Sequence, residues 1–244
     1  FEDVIADCGA QISTFGVNAY ADEKARVVEN QLQGLHLRIN GQDLYSRLVG
    51  GFNASNLIGV FCVAKRLGFD PLATLTSMSL LTPPPGRFEL VESSDGITAI
   101  VDYAHTPDAL ENVLKTIGTF TTGGERVITV VGCGGDRDSS KRPIMAKVAA
   151  SASDQVFLTS DNPRSEDPAV IISEMQTGLD PIDKRKCIAI SDRREAIRAA
   201  AAFAEAGDIV LVAGKGHETY QEINGVKHDF DDRIVLREAF NPTN

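Results

Sequence analysis

The chain has 244 residues and a mass of 26.2 kDa, is 43% hydrophobic and 24% charged, and carries a net charge of −10. That length suits one large domain or two modest ones, and folding can bury roughly 70% of the open chain's surface. The composition excludes wholesale disorder, the apolar runs fall short of the roughly 20 residues a membrane span needs, and the acid excess argues against a nucleic-acid partner. Cys8, Cys62, Cys133 and Cys187 are widely spaced with no C-x-x-C pair. They read as free thiols of a cytoplasmic protein, neither a disulfide framework nor a metal site. No signal peptide is legible and the first residue is Phe1, so the sequence is expected to be part of a longer protein.

Residues 29–37 and 44–49 read as strands with an Asn40-Gly41 hairpin turn between them. Residues 53–68 have helical periodicity, with an inner face of Leu57, Val60, Phe61 and Ala64 and a stop at Gly68. Thr82-Pro83-Pro84-Pro85-Gly86 then excludes regular structure and reads as a stiff linker. Beyond it, short apolar strands at 98–102, 127–131, 155–159, 187–190 and 208–213 alternate with helices at 107–117, 143–152, 168–179 and 192–204. A hairpin about Asn224-Gly225 and a helix at 233–240 close the chain. This alternation predicts an α/β fold: a Rossmann-like, mostly parallel sheet over 87–244 with helices on both faces.

Ligands of open parallel sheets bind beyond the carboxyl ends of the strands. The segments there are Tyr103-Ala104-His105-Thr106-Pro107, Gly132-Cys133-Gly134-Gly135-Asp136-Arg137-Asp138, Ser160-Asp161-Asn162-Pro163-Arg164, Ser191-Asp192-Arg193-Arg194 and Gly214-Lys215-Gly216-His217-Glu218. The opposite loops, such as Gly123-Gly124 and Ala206-Gly207, are plain. One rim is therefore expected to be a polar cleft, with Arg137, Lys141, Arg142, Arg164 and Lys215 as rim cations suited to carboxylate or phosphate. Gly132-x-Gly134 is half of a dinucleotide fingerprint, but Arg137 holds the third glycine position, which disfavours a nicotinamide-dependent oxidoreductase. Lys215 is followed by glycine, and no G-x-x-x-x-G-K-[ST] phosphate loop occurs. His217-Glu218 has no partner histidine at helical spacing, so no metal site is expected.

Several motifs in register carry a resemblance: Gly51-Phe52-Asn53-x-x-Asn56, Pro85-Gly86-Arg87-Phe88-Glu89, Asp102-Tyr103-Ala104-His105-Thr106-Pro107-Asp108-Ala109-Leu110, Gly132-Cys133-Gly134-Gly135-Asp136-Arg137-Asp138, Lys141-Arg142-Pro143 and Gly214-Lys215-Gly216-His217-Glu218. From about residue 50 to the end, the chain resembles the C-terminal half of the Mur ligases, the ATP-dependent amide-bond synthetases of peptidoglycan precursor assembly. Asp161-Asn162-Pro163-Arg164 resembles the signature of the branch that adds meso-2,6-diaminopimelate to UDP-N-acetylmuramoyl-L-Ala-D-Glu. The resemblance implies that residues 1–82 are the C-terminal remnant of a central ATP-binding domain, 83–86 a linker and 87–244 the C-terminal domain.

The resemblance further implies an acyl-phosphate mechanism with ATP and Mg2+ as cofactors. Arg137, Asp161, Asn162, Pro163, Arg164, Gly214 and Glu218 would receive diaminopimelate; Asn53, Asn56, Arg87, Tyr103 and His105 would lie near ATP. The family's phosphate loop, carbamylated lysine and UDP-binding domain have no counterpart in these 244 residues, so no catalytic residue is assigned and the chain alone is expected to be inactive. Its partners would be small molecules, with no nucleic acid or membrane span, and a monomer is expected. Two alternatives stay open: a binding module for amino acid or nucleotide without catalysis, and a lysine-adding relative.

Overall fold

The computed structural model describes residues 7–91, 93, 95–121 and 123–241; residues 1–6 of the expected N-terminal unit lie outside them. The chain divides into two compact units, Phe1–Pro83 and Pro84–Asn244, the division falling inside the proline run.

In the first unit, β1 (Phe15–Val17), β2 (Glu23–Gln31), β3 (Gly34–Ile39) and β4 (Gln42–Ser46) form a four-stranded sheet in sequence order. β1 runs parallel to β2 and the other pairs are antiparallel. The single strand expected over 29–37 is broken by a turn at Leu32-Gln33. Gly34 makes that turn possible: at φ +143 its backbone lies so close to β4 that a Cβ would stand 2.0 Å from the Ser46 carbonyl oxygen. The turn at Asn40 (φ 48) and Gly41 (φ 88) has both residues left-handed, as a two-residue hairpin requires.

α1 (Gly51–Arg66) and α2 (Pro71–Ser79) pack on this sheet. The inner face of α1 is Ala54, Leu57, Ile58, Phe61 and Cys62, rotated from the expected stripe; Val60 is 51% exposed. α2 is absent from the sequence reading, although its start is well marked: Pro71 occupies the first turn and the Asp70 carboxylate accepts from the Ala73 N–H at 2.8 Å.

The second unit is built on a six-stranded sheet of order β5-β6-β10-β7-β8-β9. Its strands are β5 (Glu89–Val91), β6 (Thr98–Asp102), β7 (Val127–Cys133), β8 (Gln155–Ser160), β9 (Cys187–Ala189) and β10 (Ile209–Ala213). All pairs are parallel except β5 with β6. The helices are α3 (Pro107–Gly118), α4 (Lys141–Ser151), α5 (Pro168–Gln176), α6 (Pro181–Arg185), α7 (Arg193–Phe203) and α8 (Asp232–Phe240). Val101, Ile128, Val130, Val210 and Val212 meet Ala196, Ile197, Ala200, Val235 and Leu236 of α7 and α8 in one core. The alternating residues Ile100, Val131 and Leu211 point to the other face and are equally buried. The fold is thus the α/β sheet of the sequence reading, with β5 and α6 added and helix ends shifted by one to three residues.

β10 inserts between β6 and β7, so the chain reverses its direction of travel across the sheet there. In open parallel sheets the crevice for a ligand lies at the carboxyl ends of the strands at such a switch point, here those of β6, β10, β7 and β8. A hairpin of β11 (Tyr220–Ile223) and β12 (Val226–Asp229) flanks the crevice, its turn again carried by left-handed Asn224 and Gly225. Among the described residues no helix is long and apolar enough to cross a membrane.

Candidate functional site

Glycines set how closely the rim loops approach. A Cβ on Gly132 would stand 2.5 Å from the Thr159 carbonyl oxygen, and one on Gly135 only 1.9 Å from that of Pro163. The loops after β7 and β8 therefore lie backbone on backbone, joined by the Gly135 N–H donating to the Asn162 carbonyl at 2.9 Å. Asp136, left-handed at φ 52, accepts from the Ser165 hydroxyl at 2.7 Å. Beneath them Arg142 is 1% exposed and donates to both Glu166 oxygens at 2.9 Å, to Glu174 at 2.6 Å and to the Gly134 carbonyl at 3.2 Å. Arg142 is thus an internal brace, not the rim cation expected, and it draws the Glu166 carboxyl below its ordinary range.

Lys215 departs from expectation in the same way. It is 0% exposed, and its Nζ donates to Asn162 Oδ1 and Glu218 Oε2, each at 3.0 Å, with Asp161 Oδ1 at 3.5 Å. The Asn162 amide donates to the same Glu218 oxygen at 2.9 Å, and its Oδ1 also accepts from the Glu222 N–H at 2.9 Å. Burial opposes the charge on Glu218, but the Asn162 amide and the Lys215 ammonium outweigh it and hold the carboxyl below its ordinary range. Asp161 is 8% exposed, and its Oδ1 is buried without a hydrogen-bond partner. Gly214, at φ 118, lies beside this carboxylate, with Asp161 Oδ2 3.6 Å from where a Cβ would be. Asp161, Asn162, Gly214 and Glu218 therefore form one acidic cradle around a buried lysine.

Arg164 lies at the edge of that cradle. Its Nη1 donates to the Gly135 carbonyl at 2.7 Å and its Nε is 3.4 Å from Glu222 Oε2. Arg164 itself is left-handed at φ 53 and clipped to β11. Its N–H donates to the Glu222 carbonyl at 3.0 Å, and its carbonyl accepts from the Asn224 N–H at 2.7 Å. Arg137 is exposed on the neighbouring loop, its Cγ 3.8 Å from where a Gly134 Cβ would stand.

A second cluster sits at the carboxyl end of β6. The Arg87 guanidinium lies 4.6 Å over the Tyr103 ring, and the His105 and His217 rings are 4.6 and 5.0 Å from the same ring. His105 Nδ1 is 2.9 Å from the Tyr103 carbonyl oxygen, and Lys141 donates to the His105 carbonyl at 2.8 Å. A Cβ on Gly86 would strike the His217 backbone at 2.0 Å, and one on Gly216 the Gly86 carbonyl at 2.6 Å, so two glycines let these segments cross. Asp102 closes the strand end, accepting from the Phe88 N–H at 2.7 Å, and burial pushes its carboxyl up. Burial likewise pushes the Cys133 thiol up to about 12, so it is no nucleophile at neutral pH.

Asn53 and Asn56 belong to the other unit, where Asn56 donates to Asn53 Oδ1 at 3.1 Å at the start of α1. Sequence reasoning missed His217 as a member of the aromatic cluster, and Glu222 and Gln221 as supports of the cradle; Gln221 donates to the Asp161 carbonyl at 2.7 Å. Among the described residues no three His, Cys, Asp or Glu side chains converge as a metal would require.

The α/β domain thus carries, at the carboxyl ends of its parallel strands, a charged cradle and an aromatic, cationic cluster. The family description "Mur ligase, glutamate ligase domain" matches residues 86–216, and the chain belongs to the Mur ligase family. A 2,6-diaminopimelate-adding ligase of Bacteroides thetaiotaomicron is 53% identical over 232 residues, covering 95% of this chain and 48% of that protein. Its counterpart in Geobacillus thermodenitrificans is 43% identical over 234 residues, covering 94% and 47%. A solved UDP-N-acetylmuramoyl-L-alanyl-D-glutamate–2,6-diaminopimelate ligase superposes with TM-score 0.66 at 41% identity, over 98% of this chain and 50% of that one. A folylpolyglutamate synthase of Thermotoga maritima shares the fold at TM-score 0.63 and 20% identity, over 87% and 47%. The chain spans about half the length of the curated relatives it matches.

Proposed function

We propose that this chain is the amino-acid-receiving half of an ATP-dependent ligase that adds meso-2,6-diaminopimelate to UDP-N-acetylmuramoyl-L-Ala-D-Glu. The observation that carries the reading is the split cradle: a forked cation, Arg164, at the edge of a carboxylate pair, Asp161 and Glu218, that one buried lysine holds. Diaminopimelate has an amino-acid group at each end. One amine must stay free to attack the activated carboxylate of the acceptor. The other end brings a carboxylate, which Arg164 and Arg137 suit, and an ammonium, which Asp161, Glu218 and the Gly214 carbonyl suit. Asn162 and Pro163 serve as frame. The amine attacks an acyl phosphate, with phosphate leaving and the amine proton released.

The stack of Arg87, Tyr103, His105 and His217 fits part of a nucleotide, since aromatic faces and a guanidinium suit a base or phosphate. Bound ATP supplies the phosphoryl group that activates the acceptor carboxylate. Among the described residues no three carboxylates, histidines or cysteines converge as a metal would require, and no part of magnesium binding is assigned to this unit. Cytoplasmic location and a monomeric state go with this reading, as does inactivity of the chain alone.

Arg164→Ala, placed in a full-length ligase carrying this half, tests the assignment. Lysine lacks the distal carboxylate and would leave Arg164 with only its Gly135 and Glu222 contacts. The variant is therefore expected to raise KM for diaminopimelate about a hundredfold while changing lysine use little. Unchanged selectivity for diaminopimelate over lysine would overturn the reading.

A further inference from the structure

We propose that Lys215 is a positioning residue for the amine half of the cradle: it fixes which way Asn162 and Glu218 present their polar atoms and cancels one of the cradle's two negative charges. The inference rests on the proposed function. An ammonium can only donate, so the atom of Asn162 that faces Lys215 Nζ at 3.0 Å must be Oδ1. The Glu222 N–H reaches the same oxygen at 2.9 Å, which leaves the Asn162 amide to donate to Glu218 at 2.9 Å. Lys215 and Asn162 both engage Glu218 through Oε2, so that oxygen is committed to the frame and the carboxylate is held at one angle.

The charges follow the same logic. Asp161 and Glu218 bring two negative charges and Lys215 one positive, and the lysine has no exposed surface. The cradle is left with one net negative charge, the complement of one ammonium. Without the lysine the two carboxylates would lose the ammonium they share, and the cradle's charge would no longer match that of one ammonium. Asn162 would also be free to turn its amide over. Lys215 is locked from behind as well, its Nζ lying 5.6 Å over the Tyr220 ring.

The test uses a full-length ligase carrying this half and two acceptable amines: diaminopimelate, and 2-aminopimelate, which keeps both carboxylates but lacks the distal amine. Wild type is expected to prefer diaminopimelate; if it does not, the proposed function fails and the lysine question does not arise. Given that preference, Lys215→Met should raise KM for diaminopimelate about tenfold or more, because a buried carboxylate has lost its fixed partner. kcat and KM for ATP should stay near wild type. The preference for diaminopimelate over 2-aminopimelate should fall by a similar factor. A merely structural role would slow both substrates alike. Lys215→Gln keeps a donor without charge and is the second variant should the methionine protein not fold; it should show an intermediate loss of preference. A preference unchanged or increased in either folded variant overturns the proposal.

Discussion

In the unit of residues 7–83 the apolar core is one layer deep, whereas in residues 84–241 apolar helices cover the sheet on both faces and charged groups are buried among them. The first unit packs Leu35, Leu37, Ile39 and Leu44 of its sheet against Leu57, Ile58 and Phe61 of α1 and Leu75 and Met78 of α2. Val60, Val63, Leu67, Phe69 and Leu72 are all more than half exposed. The second unit places Arg142, Arg193, Asp232 and Lys215 at 1% exposure or less, each with partners. Burying an ion pair brings little net stability, while breaking one is costly. The first unit depends on one apolar layer and a buried Glu23 held by Lys65 at 2.7 Å, and the second on a larger set of buried charges beneath the rim.

The largest expected effect lies at Arg193 and Asp232, both 0% exposed. Arg193 donates to Asp232 at 2.8 and 2.7 Å and to the carbonyls of Ser160 and Ala213 at 3.4 and 3.0 Å, directly under Asp161 and Gly214. Asp232→Asn leaves the guanidinium charge without a counterion and is expected to cost about 3–5 kcal/mol. Hydrogen exchange should show that loss in β7 and β10 and leave β3 and α1 as protected as before. Equal losses in both units would mean that they unfold as one.

Leu37→Ala probes the other side. Leu37 is fully buried at the centre of the thin core, and truncation there should cost about 3 kcal/mol with lost protection confined to β2, β3 and α1. A cost under about 1 kcal/mol would show that the layer repacks around the cavity and is not the source of that unit's stability.

Much of the second unit is legible in the sequence because its signals are local. β7 is a β-branched run, Thr106 and Pro107 mark the start of α3, and Asp192 caps α7 by accepting from the Glu195 N–H at 3.0 Å. Which loops share the rim also follows from strand order alone. What a residue does within the rim does not. Arg142 and Lys215 look like surface cations because their partners Glu166, Glu174, Asn162 and Asp161 lie 24 to 54 residues away in sequence. The support of Arg164 comes from β11, which carries no motif, and depends on a positive φ at an arginine, a conformation no sequence pattern announces. In the first unit the turn at Leu32-Gln33 has neither Asn-Gly nor proline; its cause is the close approach of Gly34 to β4, a tertiary contact.

The smallest expected effect sharpens the contrast between the units at the outer face of α1. Val60 and Val63 are one helical turn apart and 51% and 58% exposed, on the side opposite Ala54, Leu57, Ile58 and Phe61. A lysine at 63 removes exposed apolar surface, fills no core space, and is a slightly better helix former than valine. Val63→Lys should therefore leave stability within about 0.5 kcal/mol, as surface substitutions do, while lowering self-association of the chain in sedimentation and its binding of an apolar dye. The two readouts separate the cases. Unchanged stability with weaker association fits a core that ends at the inner face of α1. A loss above about 1 kcal/mol would mean that Val63 is packed against something in solution, and the first unit would then have a second buried layer like the one that covers the sheet of the second.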